Sequence, residues 1–386
     1  MTNVFDITDF GAVGDNTTDC TKAIQAALDT AKNVKGKVIV PPGIYKCGYI
    51  KTYSSVSLEG TPGWGYRDVG GSVLSLNDEN APCLLDVSGA HGCRIDGIQF
   101  IGNYLGENIP GILLDYPVCN GDPFVDNTEN IGPYEYKCHR TYNEDSNVIS
   151  NCQCTKFSGD GVHLNHMFAF KIVHSMFIAN GGDGIYLNGW DGWITDCICS
   201  FNKGAGIGSV KPDNNGGCAI GTVNISNNRI EWNRECGIHT VIADALNINN
   251  NCFDRCIGPA IKLGDVFNTN ITIVGNIFRR CGSAISEIGN DASLIPFEDK
   301  YDCSHIYIKA GKNITVTSNT FACGKDDTDG PRPWSPDYSI VYKNLENCVI
   351  SNNVLSDGCL CENLVDLGGH KGENIINNNI GTIKSF

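Results

Sequence analysis

The sequence predicts an all-β solenoid, a β-helix whose every coil carries three short strands. A repeat, a column of asparagines and a surplus of turn formers predict it. The repeat is a small residue followed by Ile or Val at Gly161-Val162, Gly184-Ile185, Gly206-Ile207, Gly237-Ile238 and Ala260-Ile261, at intervals of 23, 22, 31 and 23 residues. The column keeps the same beat at Asn228-Arg229-Ile230, Asn251-Cys252-Phe253, Asn276-Ile277-Phe278, Asn319-Thr320-Phe321 and Asn353-Val354-Leu355. A fixed period of this size, with short apolar alternations broken by Gly and Asn, marks stacked repeats. The 45 glycines suit it, because Gly and Asn supply the left-handed conformations that end short strands.

The chain has 386 residues, and a solenoid grows by adding coils, so residues 1–386 are expected to form a single domain. Residues 1–60 make an N-terminal cap and the first coil. Ala23, Ile24, Ala27, Leu28 and Ala31 recur at helical spacing, which predicts an amphipathic α-helix from residue 19 to about residue 32. Laid over the first coil, it would cover that coil's edge and apolar interior. In a later coil, 260–264 reads as the first strand, 271–274 as the second and 277–279 as the third. Asn276 falls in the tight turn between the last two. Stacked asparagines bond along the axis and to turn backbone, so the column reads as structural.

Insertions interrupt the period near 117–147, 209–217, 282–304 and 324–337. The first two follow first strands and the last two precede them, so all four flank the first sheet. Loops that wall one face of a solenoid build a binding cleft there. They carry the candidate sugar platforms Tyr134, Tyr136 and Trp334 and the acids Glu298, Asp299 and Asp337. Oligomer packing is the competing use of such loops, and a homotrimer is compatible with this fold.

The net charge of -15 argues against nucleic acid, whose phosphates attract Lys and Arg, and it disfavours a strongly anionic polysaccharide. No stretch reaches the roughly 18 apolar residues that span a bilayer, so no membrane partner is expected. A start without a basic, apolar leader predicts a cytoplasmic location. The 20 cysteines are then expected as free thiols, and Cys152/Cys154, Cys197/Cys199 and Cys359/Cys361 alternate as pairs on one strand face. Their spacing lacks the usual zinc pattern, so no metal or other cofactor is predicted.

On the first sheet the outward residue between core positions reads His163, Tyr186, Gly208, His239, Lys262, Tyr307. Asp160 and Asp183 come just before two successive strands. Adjacent coils lie about 4.8 Å apart, which places these carboxyls side by side on the cleft floor. Paired carboxylates are what glycosidic hydrolysis requires, one charged and one carrying a proton. A structural reading competes, since Asp before Gly suits a tight turn.

The opening Phe10-Gly11-Ala12-Val13-Gly14-Asp15, with Ala23-Ile24-Gln25-Ala26-Ala27-Leu28 and Val38-Ile39-Val40-Pro41-Pro42-Gly43-Ile44-Tyr45 ahead of the coils, resembles the pectate-lyase superfamily. That resemblance implies a right-handed parallel β-helix over nearly the whole chain. Within it, Ser158-Gly159-Asp160-Gly161, Gly181-Gly182-Asp183-Gly184 and Gly204-Ala205-Gly206 resemble the polygalacturonase-like hydrolases, whose pattern runs Asn-Thr-Asp-Gly, Gly-Asp-Asp and Gly-His-Gly. Asp160 and Asp183 match the two acids that hold the attacking water. Gly182 stands in place of that family's proton donor and Ala205 in place of its histidine. The resemblance therefore implies a donor from elsewhere, with Asp191, Glu298, Asp299 or a histidine as candidates.

A looser resemblance is to the inulin fructotransferases, through Phe278-Arg279-Arg280 and the run from His305 to Phe321. Asn180 stands where that family's catalytic carboxylate is expected. Glu231 and Asp254, on third strands of consecutive coils, read as surface acids. The expected function is cleavage of an oligosaccharide or polysaccharide by Asp160 and Asp183, with His163, Tyr186, His239, Lys262, Tyr307, Trp334 and Asp337 binding substrate. The alternatives are an intramolecular fructotransferase or lyase, and a glycan-binding or tailspike-like protein without catalysis.

Overall fold

The structure is a computed structural model that describes residues 3–115, 147–209, 220–266, 268–283, 297, 299–324 and 334–385. Three sheets of 16, 13 and 13 strands run its length. One coil shows the plan: Ile261–Leu263 lies in the first sheet, Thr272–Val274 in the second and Ile277–Arg279 in the third. Each strand pairs in parallel with its counterpart one coil away. The strands anticipated from the repeat are those observed.

Register turns the repeat into a core. Val162, Ile185, Ile207, Ile238, Ile261, Ile306 and Ile340 align across the first sheet, all fully buried. Phe253, Phe278 and Phe321 stack on the inner face of the third, with ring centroids 5.1 and 4.7 Å apart. Cys152, Cys154, Cys197 and Cys199 fill small gaps inside the coil, as alternation predicts. Cys359 is buried while Cys361 is exposed, so the third pair does not share a face. The 17 described cysteines are free thiols.

The asparagine column is a hydrogen-bonded ladder. Asn251 donates from both its backbone N–H (2.9 Å) and Nδ2 (3.0 Å) to Asn276 Oδ1, and Asn276 Nδ2 donates to Ile248 O at 3.0 Å. The residue before each rung, such as Asn250 (φ 54°) or Gly275 (φ 69°), is left-handed, which bends the chain sharply enough for a two-residue corner. A second ladder, Asn180–Asn202–Asn233, occupies the corner between third and first strands. It explains the asparagine found where the fructotransferases have a carboxylate: Asn180 is buried and faces its neighbours, not a cleft.

The helix Thr21–Val34 buries Ile24, Ala27, Leu28 and Ala31 against the first coils. It begins two residues later than its spacing suggests, because Asp19 ends the strand Asp15–Asp19 and accepts the N–H of Thr21 at 3.0 Å. At the other end Ile375, Ile380 and Ile383 stay 51, 67 and 55% exposed, so the last coil lacks a matching cover among the described residues.

The insertions fall between the strands expected, although the middle of each, including Tyr134, Tyr136 and Glu298, lies outside the described residues. A further excursion escaped the periodicity. Residues 60–71 leave the second sheet after Ser57–Glu59 and fold over the outer face of the third before Ser72–Leu76.

Asn276→Ala would leave the Asn251 N–H without an acceptor and Asn251 Nδ2 with only its bond to Ile225 O. It is expected to cost about 1–3 kcal/mol per stranded group, read from urea denaturation midpoints. His305 is fully buried among Phe278 and Phe321, with no well-formed hydrogen bond at either ring nitrogen among the described residues and only a weak contact with the Gly358 backbone. Burial pushes it from 6.5 down to about 3. The unfolded chain therefore takes up this proton first, and stability contributed by the neutral ring is lost as pH falls through that window. His305→Leu should gain on the wild type as pH is lowered below 6.5 in matched denaturation series.

Candidate active site on the first sheet

Two acids are set into the corner that leads into the strands Val162–Phe168 and Ile185–Trp190. The Asp183 N–H donates to Asp160 Oδ1 at 2.7 Å, and the Ala205 N–H donates to Asp183 Oδ1 at 2.7 Å. Each carboxyl thus reaches one coil along the axis. Room for this comes from glycine. A methyl at Gly182 would overlap Asp160 Oδ1, and one at Gly204 or Gly208 would overlap the Asp183 carboxyl. None of the three glycines has a left-handed backbone, so space, not turn conformation, demands them.

The two acids differ in surroundings. Asp160 Oδ2 lies 2.8 Å from His163 Nδ1, and the His163 ring stacks on Tyr186 with centroids 4.0 Å apart and planes 7° apart. Asp183 has no cation beside it among the described residues. Burial, followed by the charge of Asp160, pushes its carboxyl from 3.8 up to about 8, while the Ala205 N–H pulls only weakly the other way. Glu235, one coil beyond Gly204, adds to the same push; its position one residue ahead of the repeat hid it from the sequence reading.

The outward row is in the predicted register, from His163 through Tyr186, Gly208, His239 and Lys262 to Tyr307. Burial, with Lys262 and Lys309 nearby, lowers His239 to about 4, leaving it neutral at neutral pH. Lys262 Nζ sits 2.8 Å from Asp302 Oδ1, a pairing that outweighs the burial opposing its charge.

Several expected site residues are not part of this centre. Tyr307 is 1% exposed, lies beneath Tyr301 and Tyr338, and donates its hydroxyl to Asp299 at 2.9 Å. Asp299 caps a short 3₁₀ turn. Burial alone would raise its carboxyl, but the Tyr301 N–H, the Tyr307 hydroxyl and Lys309 hold it below the usual range, which does not suit a proton donor. It belongs to the Tyr307 coil, four rows or about 19 Å from Asp183. Asp337 lies one row further still, just before Tyr338. Asp191 ends the Ile185–Trp190 strand, about 20 Å away, and accepts the Thr222 hydroxyl at 2.5 Å. Trp334 is buried edge-on against Trp232 with Ile257 and Phe297, so it is packing and not a sugar platform. Glu231 and Asp254 are buried, not surface acids. Glu231 takes the Tyr66 hydroxyl at 3.0 Å and Arg229 Nε at 2.8 Å, and Asp254 takes Arg280 Nε at 2.7 Å.

Other residues join the pair instead. Asn188 donates to Asn165 and Asn165 to Asp115, each at 2.8 Å, making a polar row two positions along the same strands. Beyond a bulge between Asn165 and Met167, Phe168 stacks on Trp190 at 5.1 Å and 17°. The bulge turns Phe168 outward against the alternation, so counting by twos misses it, while Trp190 keeps the parity of Tyr186.

Residues 161–295 match a family model described as right handed beta helix region, and residues 4–67 match one described as rhamnogalacturonase A/epimerase, pectate lyase-like. The chain is a right-handed parallel β-helix. This β-helix is similar to the A-module of the mannuronan C-5 epimerase AlgE6 of Azotobacter vinelandii, at 14% identity and TM-score 0.59 over 99% of this chain and 100% of that one. It is similar to the DFA-IIIase of Arthrobacter chlorophenolicus A6, at 14% identity and TM-score 0.61 over the whole of both chains. It is also similar to the Streptococcus pneumoniae surface protein and adhesin PfbA, at 15% identity and TM-score 0.58 over 98% of each. At these identities the likeness speaks to the fold alone. No curated protein sequence matches the chain.

Between 3.8 and about 8 the folded protein holds a proton on Asp183 that the unfolded chain has lost. This site therefore makes stability fall with rising pH across that window, by up to ~1.4 kcal/mol per pH unit. Asp183→Asn keeps an acceptor for the Ala205 N–H and should lack the fall, gaining on the wild type towards alkaline pH in urea titrations.

Proposed function

We propose that the chain is a carbohydrate-active enzyme that hydrolyses a glycosidic bond in an oligosaccharide lying across the first sheet at Asp160 and Asp183. The observation that carries this reading is the unequal surroundings of two adjacent acids. Asp183, raised to about 8, holds a proton at neutral pH, and Asp160 pairs with His163. Asp183 gives its proton to the leaving oxygen as the C–O bond breaks. A water adds to the anomeric carbon, and its proton passes to the Asp160–His163 pair. The donor that the resemblance sought elsewhere is thus one of the matched acids themselves. The Asn165–Asn188 row and the Phe168–Trp190 shelf supply polar and flat apolar contacts for neighbouring sugar rings.

Structural neighbours that include a mannuronan epimerase and a DFA-IIIase support a carbohydrate ligand without choosing the reaction. Binding without cleavage is the second reading, favoured by the fact that both carboxyls also cap backbone N–H groups of the next coil. The abundance of free, buried thiols supports a cytoplasmic location and hence short substrates.

Incubation with neutral and uronate oligosaccharides, followed by mass spectrometry, separates these readings. Hydrolysis predicts products that together gain one water per bond cut, lost in Asp183→Asn and falling away above about pH 8 as the donor ionises. An anhydride product with no new reducing end indicates transfer, an unsaturated product indicates elimination, and binding without product indicates the second reading.

A further inference from the structure

Around the corner from the acids, a stack of planar side chains has one rung missing. The residue after each third strand is Lys156, Ala179, Phe201, Trp232, Arg255 and Arg280 on successive coils. All six have left-handed backbone, with φ of 59, 56, 59, 57, 53 and 53°, so their side chains leave the helix in register. Phe201 stacks on Trp232 at 5.7 Å and 10°, and the Arg255 guanidinium lies 4.6 Å over the Trp232 ring. On the other side of Phe201 the next rung is only the methyl of Ala179, and the one after it is Lys156.

A cavity of about 380 Å³ opens at that gap, lined by Lys156, Ala179 and Phe201 with Ile178, Gln153 and Tyr66. Its outer wall is the 60–71 excursion, which is pinned in place. Gln153 Nε2 donates to Gly65 O at 2.9 Å, the Tyr66 hydroxyl donates to Glu231 at 3.0 Å, and Pro62 bridges to Gly71. The pocket is therefore preformed, as small-ligand sites usually are.

Its dimensions select a single ring. Lys156 and Phe201 are two coils apart, about 10 Å. A flat ring in van der Waals contact on both faces, at roughly 3.5–4 Å each, needs about 7–8 Å. Its chemistry selects a sugar. Phe201, 43% exposed, offers an apolar face suited to the C–H side of a saccharide. Lys156, without an ion pair among the described residues, supplies donors for the hydroxyl rim, and Arg67 and Asp68 of the excursion add charged groups to the lining. An apolar aromatic ligand would leave these groups unused.

We propose that this corner pocket is an accessory saccharide subsite, holding a remote ring of the same glycan whose scissile bond lies at Asp160 and Asp183. The proposal rests on the functional reading above. Asp160 follows Lys156 by four positions and Asp183 follows Ala179 by four, so the pocket lies within about 14 Å of the acids along the chain. Binding a ring there contributes affinity for long substrates that short ones lack.

Ala179→Phe fills the missing rung and Phe201→Ala removes the stacking face, while Ala179→Ser leaves the gap and serves as the control. Each change is placed in the Asp183→Asn background, and near-ultraviolet circular dichroism confirms the fold. The probes are cellohexaose, laminarihexaose and a six-unit inulin oligomer, each against its dimer, with binding read from Trp fluorescence and saturation-transfer NMR. A hexamer that binds should weaken roughly tenfold in both corner variants, with dimer affinity and the Ala179→Ser control unchanged. Equal hexamer affinity in Ala179→Phe and its control overturns the subsite, as does the absence of any binding up to about 1 mM. Parallel product analysis with Asp183 intact keeps the two readings apart. Cleavage with no effect of the corner variants sinks only the subsite, and corner-dependent binding without cleavage sinks only the hydrolase.

Discussion

Every feature of this molecule depends on the axial register of one coil on the next. Parallel strands hold neighbouring coils about 4.8 Å apart, and the two asparagine ladders keep that spacing at corners where strand pairing cannot. Because the ladder side chains are buried and bonded on both sides, a coil cannot slip by one residue without stranding several donors at once. The register converts positions about 23 residues apart in sequence into rows of touching side chains. The same geometry that stacks Phe253 on Phe278 stacks His163 on Tyr186 and sets Asp160 beside Asp183.

That rule makes part of the site legible in the sequence. The period and the alternation within strands are local properties, so the outward row from His163 to Lys262 and the adjacency of the two acids follow from counting. Counting fails where the chain departs from the period. Tyr307 occupies a position the repeat marks as outward, yet Tyr301 and Tyr338 lie against it, and Trp334, in an insertion, packs on Trp232, Ile257 and Phe297; no local pattern reports that cover. Glu231 looks like a surface acid until Tyr66, 165 residues earlier in sequence, folds over the third sheet to meet it. The bulge beyond Asn165 hid Phe168 in the same way, by shifting the parity on which the counting relied.

The glycines show how a local reading can be right about the residue and wrong about the reason. Gly182 and Gly204 look like turn formers beside aspartates, and Gly208 looks like an empty place in the outward row. Their backbones are ordinary, and what each provides is the absence of a Cβ where a carboxyl oxygen sits. The space at Gly208 is occupied, because the Asp183 carboxyl lies over it. Such a substitution across coils is invisible to a motif comparison, which records only that a histidine and an acid of the family pattern are missing.

The buried acids on the two faces then separate structure from chemistry. On the third sheet, Asp254 meets Arg280 and Arg255, and Glu231 meets Arg229 and the Tyr66 hydroxyl, so the cost of burying each charge is met by a partner at hydrogen-bond distance or nearly so. On the first sheet, Asp183 is half-buried beside another carboxylate and is given one backbone N–H and, among the described residues, no cation. A fold that needed only a cap at this corner could use Asn, which accepts the same hydrogen bond without the like-charge conflict, and the neighbouring ladders show that Asn is accepted throughout the helix. An acid held where burial and a neighbouring carboxylate raise its proton affinity is the arrangement a proton donor requires and a structural cap does not.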